Sequence, residues 1–208
     1  MRLVELRPEK KHLVALQTDT GERLLIDRDV CADHALQAGD ELDDSKWEQL
    51  AYESNYQRAK NRALWYLDRA DRTEQGLYRK LIEAGFEKQA SAAVIARLKE
   101  LGLLDDERFA ENFVYRCCEA NISRREAVRK MLEKGVPYAI AKEAAGHMEV
   151  DEEEQIRALI RQKYANRLSQ EKGAQKVFAA LARKGFSFGA IKAALRQYDE
   201  EIENSEEW

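Results

Sequence analysis

Proline is scarce in this sequence, with two residues in 208. Because proline inside a helix removes a hydrogen bond and clashes with the preceding turn, its scarcity permits long uninterrupted helices. Cysteine is scarce as well, and Cys31, Cys117 and Cys118 are the whole set. An odd number of cysteines without CxxC or Cys/His spacing argues against a disulfide framework and against a zinc site.

Long apolar runs and catalytic motifs are also missing. No stretch approaches the length of a membrane helix, and the N-terminus lacks the apolar core of a signal peptide. The sequence has no GxSxG, Walker loop, HExxH or GxGxxG. His12, His34 and His147 do not cluster with acids, and the pair Asp105-Asp106 fits a helix cap better than a metal site. We therefore predict a cytoplasmic, non-enzymatic binding or regulatory protein with no metal and no cofactor.

The net charge is small, at −4, because 35 bases nearly balance 39 acids, and it hides a segregation of the charges along the chain. Residues 1–50 carry seven bases and twelve acids, and residues 199–208 form an acidic tail. Residues 157–184 carry eight bases against Glu171 alone, and residues 58–80 carry seven bases against three acids. A chain of this kind can present a basic surface to a polyanion. Solvated helix faces explain any one of these segments, but their recurrence favours a shared basic face.

One eight-residue pattern occurs three times and organises the predicted fold. Its copies contain Gly85, Gly135 and Gly185, which stand 50 residues apart. In each copy, apolar residues at helical spacing precede the glycine, which fits the left-handed position just after a helix end. Even spacing of this kind indicates a repeat architecture. We assign the glycines a structural role, because a lone glycine lacks the clustered spacing of a phosphate-binding loop.

The predicted fold class is mainly α-helical: three tandem three-helix repeats in an elongated, curved array, preceded by a small N-terminal region that contains a β-hairpin. Short apolar runs predict strands over residues 3–6, 12–16 and 22–26. A stretch without proline or glycine predicts a long helix over about residues 46–70. The predicted boundaries are 1–45 for the β-rich region, 46–102, 103–148 and 149–198 for the repeats, and 199–208 for a disordered acidic tail.

Capping residues predict where several helices begin. Asp29 would cap a short helix near residue 30, and Asp44 or Ser45 would cap the long helix. Thr73 and Ser123 would cap the second helices of the first two repeats. The third repeat is predicted as helices over 156–168, from 169 or 170 to 184, and from 188 or 189 to 198.

Three stretches resemble the RecX family of recombinase regulators. They are the segment GLLDDERFA at 102–110, the turn at 134–136, and TEQGLYRKL at 73–81, where the family has Ser/Thr-Glu-x-x-Leu-x-x-Lys-Leu. The resemblance covers about residues 59–198, and the β-rich region is similar to that of longer family members. The sequence departs from the family at 121–125, NISRR, where Gly-Pro is usual, and in its looser third repeat.

The resemblance implies a non-catalytic protein that binds the groove of the RecA–DNA filament and modulates RecA, usually by inhibition, in recombination, DNA repair and the SOS response. It leaves bare single- or double-stranded DNA open as a further partner, and we expect a monomer without membrane association. Basic faces suit such a polyanion, with binding that weakens as salt rises. The candidate contact residues are Arg79, Lys80, Arg116, Arg124, Arg125, Arg129, Lys130, Arg183 and Lys184.

Two other functions stay open. The helix–glycine–helix units resemble helix-turn-helix elements, so the chain could read DNA sequence. Against this, the predicted helix over 137–145 is short and alanine-rich, with few side chains that could contact base edges. The chain could also be a helical scaffold for a different protein.

Overall fold

The computed structural model of the chain describes residues 1–9 and 12–206. The chain divides into two compact units, one of residues 1–105 and one that begins at Asp106. The elements in chain order are β1 (Leu3–Pro8), β2 (Leu13–Thr18), β3 (Arg23–Asp27), α1 (Arg28–Asp33), α2 (Asp44–Leu67), α3 (Glu74–Glu83), α4 (Lys88–Glu100), α5 (Asp106–Glu119), α6 (Arg124–Lys134), α7 (Tyr138–Gly146), α8 (Glu152–Leu159), a π-helical segment (Ile160–Tyr164), α9 (Ala165–Leu168), α10 (Gly173–Arg183) and α11 (Phe188–Glu206).

The N-terminal region is a three-stranded antiparallel sheet in the order β1-β2-β3. The predicted β-rich start of the chain is thereby confirmed. Leu16 and Ile26 of the sheet are fully buried together with Leu50 of α2, so the sheet packs on the first half of that helix. The cap of α1 is Asp27 and not the predicted Asp29, because the Asp27 carboxylate accepts the amide of Asp29 in the first helical turn.

The first repeat consists of the second half of α2 with α3 and α4. Its core contains Ala59, Leu77, Leu81 and Val94, which are all fully buried. The cap of α2 is Asp43 and not Asp44 or Ser45, since the Asp43 carboxylate accepts the Lys46 amide at 2.7 Å. Several adjacent acids satisfy the same capping rule, and the tertiary fold selects among them. The predicted cap of α3 is confirmed by a 2.9 Å hydrogen bond from the Gly76 amide to the Thr73 hydroxyl.

The second repeat consists of α5, α6 and α7. Phe109 and Met131 are buried in its core together with Ala141, Ala144 and Ala145 of α7. These alanines carry only a methyl group, so α7 packs with little side-chain volume between it and its neighbours. The alanines of this helix, which leave few side chains to contact DNA bases, therefore have a packing role.

The third repeat departs from prediction in its first two helices. The expected helix over 156–168 is interrupted by the π-helical segment, and α10 begins at Gly173 instead of residue 169 or 170. Lys172 has a left-handed φ of 58°, and a Cβ at Gly173 would lie 2.2 Å from the Arg167 carbonyl oxygen. The preceding turn therefore leaves no room for a side chain at position 173, where this helix begins.

The C-terminal segment also differs from prediction. Helix α11 continues to Glu206, through most of the segment that was predicted as a disordered acidic tail. Glutamate is a good helix former, and neither glycine nor proline interrupts the segment. Residues 207 and 208 of that tail lie outside the described residues, and the predicted boundaries between the repeats stay predictions.

The repeated glycines have the predicted conformation. Gly85, Gly135 and Gly185 have φ of +87°, +95° and +86°. The amide after each glycine donates to a carbonyl of the last helical turn: Phe86 to Leu81 at 3.1 Å, Val136 to Met131 at 3.0 Å, and Phe186 to Leu181 at 3.3 Å. This is the hydrogen bond that closes a helix through a left-handed residue. All three repeats therefore end their second helix in the same way.

Candidate functional site

The structure places eight of the nine predicted contact residues on four helices and the ninth, Lys184, directly after one of them. Arg79 and Lys80 lie on α3 in the first unit, and the other seven lie in the second unit. In that unit, α6 carries Arg124, Arg125, Arg129 and Lys130, α5 carries Arg116, Arg183 is the last residue of α10, and Lys184 follows it. The geometry around α6 therefore decides how these side chains can act.

A groove of about 550 Å³ lies beside α5 and α6. Arg116, Arg129 and Lys130 line it, together with Lys134 and Phe113. The Arg116 guanidinium and the Lys134 ammonium lie 5.9 and 5.7 Å from the centre of the Phe113 ring, within the range of a cation–π contact. Sequence reasoning missed Lys134 and Phe113 as site residues, although Lys134 lies one turn after Lys130 on the same helix.

Arg129 is held by acids of its own helix. Its guanidinium pairs with Glu126 at 2.6 Å and also with Glu133, and the Lys130 ammonium is 4.0 Å from Glu126. The hydrogen bond from Arg129 lowers the pKa of the Glu126 carboxyl against the opposing effect of burial, and the same pair raises the pKa of Arg129. Arg129 therefore contributes to the structure of α6 and is less available to a partner.

The pairing of Glu126 gives the fold a specific pH dependence. Because its pKa in the folded chain is depressed, ionised Glu126 stabilises the fold above the ordinary carboxyl range, and this contribution is lost as pH falls through the folded-state pKa. Glu126→Gln should therefore lower stability near pH ~7 and should have a smaller effect near pH ~3. Urea unfolding of the variant and of a control, Glu143→Gln on α7, measures the difference. An equal effect of Glu126→Gln at both pH values would contradict it.

The N-terminus of α6 packs on the turn that follows α10. The Ser123 hydroxyl oxygen accepts the Glu126 amide at 3.2 Å, which confirms the predicted cap, and the hydroxyl donates to the Lys184 carbonyl at 2.5 Å. A Cβ at Gly185 would lie 2.9 Å from the Ser123 hydroxyl oxygen and 3.0 Å from the Arg125 Cβ. The second and third repeats are therefore in direct contact at a glycine that has no room for a side chain.

Ser123 should consequently matter more than an ordinary cap. We expect Ser123→Ala to reduce the free energy of unfolding by about 2 kcal/mol, since both the cap and a partly buried hydrogen bond to a carbonyl are lost. Ser123→Asp separates the two roles, because aspartate can cap a helix but its ionised carboxylate cannot donate to the Lys184 carbonyl. Both variants should be destabilised in urea unfolding. Full stability of Ser123→Asp would show that the bond to Lys184 contributes nothing.

We name Arg125, Arg183 and Lys184 the Gly185 surface. All three are exposed. Arg125 and Arg183 form no ion pair with an acid in the part of the chain that the structure describes; Arg183 donates to the Ala179 carbonyl of its own helix. Arg124 differs, because its guanidinium donates to the Met148 carbonyl at 2.7 Å. The Gly185 surface is therefore a group of predicted residues at or near Gly185 whose charged side chains are exposed.

In the first unit, Lys80 pairs with Glu83 at 2.7 Å on the exposed face of α3. A cluster that sequence reasoning missed lies at the end of α2 and in the turn after it: the guanidinium carbons of Arg62 and Arg69 are 4.6 and 3.5 Å from the ring centre of Trp65. Its sequence signal is the placement of arginines three residues before and four residues after an aromatic residue; Arg62 lies on the helix, and Arg69 lies in the following turn, where it donates to the Trp65 carbonyl at 3.0 Å. Within the described residues, no three potential ligands converge on a metal site, and no helix could cross a membrane.

Comparison with known proteins places these features in a family. Residues 59–98 match the family model described as RecX, first three-helix domain, and residues 151–195 match RecX, third three-helix domain. The Regulatory protein RecX of Amycolatopsis mediterranei (strain U-32) is 30% identical over 161 residues, which cover 74% of this chain and 92% of that protein. The chain belongs to the RecX family.

Other RecX proteins match nearly the whole chain. The Regulatory protein RecX of Clostridium tetani (strain Massachusetts / E88) is 25% identical over 93% of this chain and 92% of its own length. A crystal structure of regulatory protein RecX superposes with a TM-score of 0.68 at 20% identity and covers 94% of this chain and 98% of that one. The resemblance that the sequence motifs indicated is therefore confirmed, together with the helical, three-helix-domain fold and membership of a regulatory family.

Proposed function

We propose that this RecX-family chain binds the RecA–DNA filament and restrains RecA, both as a recombinase and as an ATPase. Membership of the RecX family carries the proposal, since its relatives are regulatory proteins that bear that name. The exposed cations of the Gly185 surface supply a physical means of binding. A DNA-containing filament is a polyanion, and its attraction to such a surface falls as salt rises.

The state of each cation ranks the predicted contact residues. Arg125, Arg183 and Lys184 keep their charges exposed and come first. Arg129 is paired with two glutamates, so a partner would have to displace those acids before it gained the charge. Exposed ion pairs are weak, so this displacement lowers the contribution of Arg129 without abolishing it.

The direct test is the ATPase activity of RecA on single-stranded DNA, with the chain added below the concentration of RecA. A regulator that acts on the filament should reduce hydrolysis at substoichiometric ratios, and the effect should weaken as salt is raised. A parallel selection of duplex sites tests the sequence-specific alternative. No effect on RecA together with a preferred duplex site would overturn the proposal.

A further inference from the structure

Trp65 lies in an unusual position for the largest apolar side chain. It sits near the C-terminal end of α2 and is 42% exposed, whereas tryptophan is highly buried on average. Tyr66 packs against it edge to face, with ring centres 5.3 Å apart. The first repeat has its own core of other residues, in which Trp65 takes no part. The core of the first repeat therefore does not account for Trp65, and its indole is a candidate contact for a ligand that displaces the arginines over it.

The surroundings of Trp65 are cationic. Arg62 and Arg69 lie over its ring, and Arg58 and Arg62 line the same groove of about 430 Å³ as Trp65. The groove also contains Phe86 from the turn after α3 and residues at the start of β2. Arg58 and Arg62 are exposed and form no ion pair among the described residues. An anionic ligand would therefore meet available charge beside an aromatic surface.

The acid in this groove is already engaged. Asp27 lines the groove, yet it is 3% exposed and its carboxylate caps α1. Directly after α2, Asp68 lies 3.9 Å from the Arg69 guanidinium, a long contact between two exposed groups that screening weakens. The local charge therefore stays positive, and it favours a ligand with several negative charges.

We propose that this groove binds single-stranded nucleic acid, with a base stacked on Trp65 and phosphates bound by Arg58, Arg62 and Arg69. Single-strand sites combine aromatic platforms with a basic groove, and both are present here. A duplex keeps its bases stacked and could use only the arginines. An acidic peptide would likewise use the arginines but has no planar group that needs the indole. The combination therefore favours an unpaired strand.

In the unbound chain, Arg62 and Arg69 shield the Trp65 ring. The guanidinium groups of Arg62 and Arg69 cover the Trp65 indole. Guanidinium groups also stack on aromatic rings and bind phosphate. An exposed cation–π contact is weaker than a base–aromatic stack combined with a charge-assisted phosphate contact. Strand binding therefore exchanges a weak contact for two stronger ones. This site does not depend on RecA, and it lies in the first unit, whereas the Gly185 surface lies in the second.

The test uses the full chain, no RecA, and a fluorescein-labelled oligothymidylate of about 20 nucleotides, long enough for a single-strand site. Anisotropy at low salt gives Kd. Trp65→Ala should raise Kd about tenfold, while Trp65→Phe, which keeps a ring, should stay within about threefold. A double variant, Arg62→Glu with Arg69→Glu, should weaken binding and flatten its salt dependence. Tyr115→Ala, at a 66% exposed aromatic residue of α5, is the control and should leave Kd unchanged.

Three results would overturn the inference. They are an unchanged Kd for Trp65→Ala with native circular dichroism, an equal loss on a duplex probe and on the single strand, and displacement of the oligonucleotide by polyglutamate as effectively as by unlabelled strand. The RecA assay keeps the two proposals apart. If Trp65→Ala binds the strand normally while the wild-type chain inhibits RecA, only the single-strand site is refuted. If strand binding depends on Trp65 but the wild-type chain does not affect RecA, only the filament proposal is refuted.

Discussion

Reversal of Arg125, Arg183 and Lys184 to glutamate is expected to raise the concentration of this chain needed for half-maximal inhibition of the RecA ATPase by about 100-fold or more. Each reversal removes one exposed cation of the Gly185 surface and adds a charge that a polyanion repels. A tenfold loss corresponds to about 1.4 kcal/mol, so three modest contacts suffice for this effect. The measurement is a titration of the variant into RecA on single-stranded DNA.

The control for this variant must match its change in net charge. Lys142, Lys163 and Lys192 are exposed and lie on α7, the π-helical segment and α11. Reversal of these three lysines changes the net charge equally and should leave inhibition within about threefold of wild type, since long-range attraction is screened at physiological salt. Equal losses for both triple variants would mean that total charge, and not the Gly185 surface, governs binding. Full inhibition by a folded variant with Arg125, Arg183 and Lys184 reversed would show that the Gly185 surface does not bind the filament.

Two predicted contact residues are left out of that variant for a structural reason. Arg124 donates to the Met148 carbonyl, and Arg129 pairs with Glu126 and Glu133. A glutamate at either position would disturb α6 itself, because it would place like charges together or leave a carbonyl without its donor. A loss of inhibition would then report on folding as much as on binding.

The features that the sequence predicted well are those that short segments determine. A left-handed residue after a helix strongly favours glycine, so Gly85, Gly135 and Gly185 marked three helix ends in advance. Thr73 and Ser123 stand alone as capping residues before their helices, and both caps are confirmed. At the start of α2, by contrast, acids occupy consecutive positions, and local rules could not choose Asp43.

The features that the sequence missed depend on contacts between distant segments. At the start of α10, Gly173 lies close to the carbonyls of Arg167 and Leu168, a contact that no pattern within the helix shows. For the site, the sequence identified nine bases but not their partners. Arg125 and Arg129 have the same charge on the same helix, yet one lies beside Gly185 and the other between two glutamates. Charge counts alone cannot make that distinction.

Gly185→Ala is expected to destabilise the chain by about 3 kcal/mol, and Gly85→Ala by about 1 kcal/mol. The two glycines end equivalent helices with φ of +86° and +87°, so the left-handed strain of an alanine is the same at both. They differ in their surroundings. No described atom lies within 4 Å of a Cβ at Gly85, whereas a Cβ at Gly185 would lie 2.9 Å from the Ser123 hydroxyl oxygen.

The difference between the two variants therefore measures the packing between the second and third repeats. A Cβ at Gly185 forces Ser123 and the stem of Arg125 to move, and with them the cap of α6 and the bond to the Lys184 carbonyl. Urea unfolding of both variants gives the two free energies, and the RecA assay shows whether the displaced Arg125 also loses its contact. Gly185→Ala should impair inhibition at temperatures where it remains folded, and Gly85→Ala should not. Equal destabilisation by the two alanines would show that the repeats do not pack at Gly185.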